Sequence, residues 1–164
     1  MADGDGVPKP SGSDFDRAVV VSDRQQDLTV DEQRWAALMR RVLAEEQVAV
    51  PWEVGLSFVP ADQMAALNTK HRGINRPTDV LAFGVDDGHV PRADDEPRLV
   101  GDVVICPSVA AANAADRGRS VEDELALLVV HGTLHLLGYD HIDDVDAVAM
   151  EGRERELLAG AGLR

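Results

Sequence analysis

Three histidines, His131, His135 and His141, stand within eleven residues of a 164-residue chain that holds only five. The first two are four apart. On an α-helix that spacing puts both side chains on one face with Cβ atoms roughly 6 Å apart, so two imidazoles can reach one ion. The third follows Gly138, a residue free to take the left-handed conformation that ends a helix and turns the chain back. The whole pattern is H-x-x-x-H-x-x-G-x-x-H. Three neutral imidazoles with the fourth position open are the ligand set of a catalytic zinc, whereas four protein ligands close the shell and make it structural. A lone histidine on an apolar face is usually a hydrogen-bonded core or surface residue. Three at these intervals, with a glycine at the turn, read as a site for one Zn2+.

Such an ion lowers the pKa of a bound water towards about 7 and polarises a carbonyl or phosphoryl oxygen. Zinc peptidases with this spacing carry Glu directly after the first histidine as the general base. Gly132 occupies that position here, so peptide cleavage lacks its usual proton acceptor. Tyr139 and Asp140 lie between the ligands. Asp140 reads equally well as a partner for a histidine N–H, fixing its tautomer, and as a plain turn residue.

Lys70, His71, Arg72 and Arg76 form the one dense basic patch. A guanidinium there can clamp a phosphate bidentately and stabilise charge in a transition state. The same residues also suit the C-terminal end of a helix dipole. Asp79 and Asp102 are polar residues in apolar strands, open to a substrate-facing role or to pairing with a turn or an arginine. Neither is assigned as the base. Cys106, the only cysteine, reads as a small buried hydrophobe.

The elements that must position these residues follow from periodicity. Ala18–Val21 suits a first strand. Thr29-Val30-Asp31-Glu32 has capping-box spacing and opens an amphipathic helix with Trp35, Leu38, Met39, Val42 and Leu43 on one face, to about Glu46. Residues 52–59 alternate as a strand, Pro60-Ala61-Asp62 starts a second helix that ends near Lys70-His71-Arg72-Gly73, and 79–83 form a third strand. Residues 84–97 are acidic and turn-rich, a surface loop. Residues 98–106 form a fourth strand, in which Gly101 signals a bulge or a close backbone approach. A helix from Pro107 to about Ala115 follows. Ser120 caps the next helix, which carries His131 and His135 and is apolar nearly all round, hence central and buried. Asp143 or Asp144 caps the last helix, with Val145, Val148, Leu157 and Leu158 as its apolar positions. The predicted class is α+β: a single domain over residues 15–164, with a mixed sheet of about four strands packed with helices. Residues 1–14, rich in Gly, Pro, Ser and Asp, read as a disordered extension.

The composition, 45% hydrophobic and 28% charged, is that of an ordinary globular protein, and with aromatics at 4% the core rests on Leu, Val and Ala. The net charge of −14 argues against a generic polyanion-binding surface. One cysteine, no secretory signal and no membrane-length apolar run make the cytoplasm the expected compartment.

The stretch His131-Gly132-Thr133-Leu134-His135-Leu136-Leu137-Gly138-Tyr139-Asp140-His141 closely resembles the signature of the YbeY family of bacterial endoribonucleases, the rRNA maturation factors. Two further blocks agree in order and spacing: Leu67-Asn68 with Arg72-Gly73 and Pro77–Phe83, and Leu99–Ile105. The resemblance covers about residues 17–160. The family usually has Ser where Ala82 stands and often Pro where Gly84 stands. The resemblance implies a metal-dependent endoribonuclease acting on single-stranded RNA, in 3′-end maturation of small-subunit rRNA and ribosome quality control. It carries the metal ligands onto His131, His135 and His141 and the functional arginine onto Arg72, making Arg72 and His131 the catalytic candidates. The small ribosomal subunit or assembly proteins are the implied partners, and no membrane is. A zinc peptidase or amidase, and a non-catalytic assembly factor with a structural zinc, are the competing readings.

Overall fold

The computed structural model describes residues 16–85 and 96–163. The expected extension at 1–14 lies outside them, as do residues 86–95 of the expected acidic loop. Four strands make one mixed sheet in the order β1-β2-β4-β3: β1 (Arg17–Asp23), β2 (Trp52–Phe58), β3 (Val80–Gly84) and β4 (Arg98–Ile105). β2 runs parallel to β1 and β4, and β3 runs antiparallel to β4. The helices are α1 (Glu32–Glu45), α2 (Ala61–Arg72), α3 (Pro107–Asp116), α4 (Val121–Leu136) and α5 (Asp144–Gly160). This is the α+β arrangement expected from the sequence, with boundaries moved by a residue or two.

Alternation along β2 divides the two faces of the sheet. Trp52, Val54, Leu56 and Phe58 are buried, while Glu53, Gly55 and Ser57 between them are half-buried on the other side. The first set joins Trp35, Leu38, Met39, Val42 and Leu43 of α1 and Leu125, Val129, Val130 and Leu134 of α4 in the main core. A smaller cluster on the opposite face packs Met64 and Leu67 of α2 against Leu81, Val104 and Cys106.

Two glycines let α4 lie hard against the strands. A Cβ on Gly132 would stand 2.6 Å from Val103 Cγ1 and 3.4 Å from Val80 Cγ2. Gly101 has φ +140°, and a Cβ there would stand 2.3 Å from the Phe83 carbonyl oxygen and 2.8 Å from Leu136 Cδ2. Val100 is the extra residue beside it, since Glu53 pairs with Leu99 and Val54 with Gly101. The bulge and the close approach anticipated at Gly101 are therefore both present.

Two expectations need correction. The capping box at Thr29 is not used: Asp31 caps α1, accepting the Arg34 N–H at 3.2 Å. Val145 and Val148 are not core positions but are 78% and 65% exposed, beside Ile142 at 84%. The buried side chains of α5 are Met150, Glu154, Leu157 and Leu158, so its first two turns stand free of the core.

Candidate metal centre

Helix α4 starts where Ser120 accepts the Asp123 N–H at 3.0 Å, and it carries His131 and His135 one turn apart in its last two turns. The chain then reverses at Gly138, φ +98°. The Tyr139 N–H closes the turn on the Leu134 carbonyl at 3.1 Å. The Tyr139 hydroxyl donates to Glu46 just beyond α1 at 2.8 Å, and Arg153 of α5 holds the same carboxylate. The turn bearing His141 is thus tied to two helices.

One ring nitrogen from each of His131, His135 and His141 lies within 4.8 Å of the others. The Nε2 atoms of His131 and His135 are 3.0 Å apart. Ligands on a tetrahedral zinc with bonds of ~2.0–2.1 Å stand roughly 3.3 Å from one another, so the three imidazoles fit such an ion. Burial lowers the pKa of His135 from its ordinary value, and the facing His131 and His141 lower it further. His135 is thereby biased towards the neutral ring a metal needs.

The His131 Nδ1 meets the carboxylate of Glu154 on α5, which is 7% exposed. A carboxylate accepts, so Nδ1 carries the proton and Nε2 keeps its lone pair for the cluster. Glu154 was not among the sequence candidates. Its only signal is the four-residue spacing from the buried Met150, in a helix that also holds Asp144, Asp146, Glu151 and Glu156. Asp140, left open by the sequence, is a turn residue: its carboxylate accepts the His141 N–H at 2.7 Å.

Two adjoining concavities meet at the histidines. Arg72, Thr78, Ala82 and His135 line one, and Arg117, Glu124, Met150 and Glu154 line the other. Asp79, Val80, His131 and His141 line both. Of the basic patch, Arg72 alone enters this cleft, and its side chain makes no hydrogen bond or ion pair to any described residue. His71 instead packs against Phe83, with ring centroids 4.5 Å apart and planes tilted by 49°. Asn68, buried in the C-terminal half of α2, donates to the Arg76 carbonyl at 2.9 Å, bracing the turn that follows Arg72. Asp102 is excluded from the site. It lies over Gly55 on the face away from α4, where a Cβ on Gly55 would come within 2.0 Å of its Oδ1. Glu124, fully buried two turns before His131, is bound by Arg117 at 3.1 Å and faces Arg119 at 3.8 Å.

Residues 20–162 match the family model described as Endoribonuclease YbeY. The chain belongs to the YbeY family. It is 42% identical over 142 residues to an Endoribonuclease YbeY of Chloroflexus aurantiacus, covering 84% of this chain and 92% of the relative. It is 44% identical over 137 residues to that of Salinispora tropica, covering 79% and 87%. The solution structure of a Thermotoga maritima protein is similar to it with a TM-score of 0.55 at 25% identity, covering 85% of each chain. YbeY membership agrees with the resemblance read from the sequence blocks; the histidine block and the block running from Arg72 to Ala82 line the cleft, whereas Leu99–Ile105 forms the strand beside it. No helix among the described residues is long and apolar enough to cross a membrane.

Proposed function

We propose that this chain is a zinc-dependent endoribonuclease that hydrolyses single-stranded RNA in the cytoplasm. Its family points to maturation of the 3′ end of small-subunit rRNA and to ribosome quality control, with the small subunit or assembly proteins as partners. Residues 15–164 act as one catalytic domain behind a short extension at 1–14. The observation that carries the reading is the convergence of three imidazoles, one held by a buried carboxylate, with Arg72, unpaired among the described residues, in a single cleft.

His131, His135 and His141 hold the ion. When bound, it supplies Lewis acidity, acidifying water and offsetting charge on a phosphoryl oxygen. Glu154 fixes the orientation of His131, and the Tyr139–Glu46 contact fixes the turn of His141. Arg72 holds the scissile phosphate, since a free guanidinium presents paired N–H donors to its oxygens. A peptidase reading fares poorly. The residue after the first histidine has no room for a side chain, because Val103 stands 2.6 Å from where a Cβ would be.

The test is cleavage of a labelled single-stranded RNA by the purified protein, beside the same sequence as a duplex and an unstructured peptide. Cleavage of the single strand alone, lost in His131→Ala and on chelation, is the expected result. Peptide cleavage, or RNA cleavage that survives both treatments, contradicts the reading.

A further inference from the structure

We propose that Asp79 is the proton acceptor for the attacking water. This rests on the nuclease reading and supplies the base that Gly132 cannot. Among the described residues, four carboxylates line the cleft: Asp79, Glu124, Glu151 and Glu154. Glu154 is engaged by His131, and Glu124 is fully buried and bound by Arg117. Glu151 is exposed on α5 and lines only the half away from Arg72. Asp79 alone among them lines both halves, the one that holds Arg72 and His135 and the one that holds Glu154, with His131 and His141 common to the two.

Its place is set by the sheet. The Asp79 carbonyl accepts the Cys106 N–H at 2.9 Å, fixing the start of β3 to the end of β4. The next residue, Val80, packs against α4 at Gly132, one position past His131. Asp79 Oδ1 accepts the Val80 N–H at 2.8 Å and lies 3.4 Å from the Thr78 hydroxyl. Among the described residues, Oδ2 accepts only from Asn113 Nδ2, at 3.3 Å. An ionised carboxylate has about four acceptor directions, so Oδ2 keeps one for a water. The side chain is held in place and still has capacity to take a proton.

In the step, a lone pair of the water oxygen forms a bond to phosphorus as one water proton passes to Asp79 Oδ2. The bond from phosphorus to the leaving ribose oxygen breaks, and its electron pair stays on that oxygen, which takes a proton from solvent. Asp79 then returns its proton to solvent. One water is consumed, and one phosphomonoester end and one hydroxyl end are formed.

Asp79→Asn keeps the Oδ1 acceptor for Val80 and removes the base. Wild type and variant are compared on single-stranded RNA and on bis(p-nitrophenyl) phosphate, with zinc content and melting temperature measured alongside. The expected result is a fall in kcat of about 100-fold or more on both substrates, with KM, zinc content and melting little changed. Asp79→Glu, which retains a carboxylate, recovers at least part of the loss. A kcat close to wild type overturns the proposal. So does a defect that disappears on the p-nitrophenyl diester, because Asp79 then protonates the leaving group. Loss of zinc or of folding in Asp79→Asn assigns the residue a structural part and also overturns it. A wild type that cleaves RNA while Asp79→Asn matches it leaves the nuclease reading standing and removes only this inference; a wild type inert on RNA removes both.

Discussion

Glu154 decides which nitrogen His131 presents to its neighbours. By taking the Nδ1 proton it leaves Nε2 to face His135 at 3.0 Å. Removing such a partner from a metal-binding histidine typically costs 10–100-fold in affinity. Glu154→Gln should therefore weaken zinc by about that factor in a chelator competition, while the fold survives; unchanged affinity would mean that His131 needs no orienting group. Arg72→Ala should lower kcat/KM on RNA by about 100-fold, the scale of one donor to a developing oxyanion, with zinc content unchanged. The ligand triad was legible because its spacing is local: four residues on a helix, then a glycine turn. Glu154 was not, because its partner is 23 residues away and α5 offers several acids that look alike in sequence. Charge patterning alone gave Arg72 as one of four basic residues and the family resemblance singled it out; its place in the cleft, with His71 turned against Phe83 instead, depends on the turn after α2 and is not legible in the spacing.

At the scale of elements, α4 is the part that everything else positions. It lies in the core and carries two ligands, and it touches the strands through Gly132. Gly132→Ala forces a methyl into Val103, and overpacking of this kind costs typically 1–3 kcal/mol. Urea unfolding should move its midpoint downwards with the slope unchanged; a variant as stable as wild type would show that α4 can retreat from the sheet. Periodicity gave the class, the strands and the central helix, since alternation in β2 and the apolar run of α4 reflect which faces are buried. It misassigned Val145 and Val148, because an apolar repeat does not reveal whether a helix turn has anything to pack against. It could suggest the bulge at Gly101 but not its purpose, which depends on Phe83 and Leu136 arriving from elsewhere in the chain.

The whole molecule carries a net charge of −14, yet its cleft brings Arg72 to three imidazoles. Among the described residues, only Arg72 and Arg117 supply side-chain cations with permanent charge to that cleft. Single-stranded RNA should thus bind with a shallow salt dependence, a log–log slope of roughly −0.7 to −1.4 for one or two phosphates; a much steeper slope would require a second basic surface. The pH response has a definite sign. The folded pKa of His135 is depressed, chiefly by burial and then by His131 and His141. Its contribution to the metal-free protein is therefore full above the ordinary value of 6.5 and is lost as pH falls through the lower folded value. Metal follows the same direction, since protonated imidazoles cannot ligate, and zinc should leave as pH drops below about 6. The most direct test of the centre is the metal content of the purified protein paired with cleavage of single-stranded RNA, before chelation, after it and after zinc is restored. One zinc per chain, with cleavage that disappears and returns with the ion, is the predicted result. Full cleavage by metal-free protein, or zinc retained stoichiometrically at about pH 4 where imidazole is protonated, would contradict the three-histidine centre.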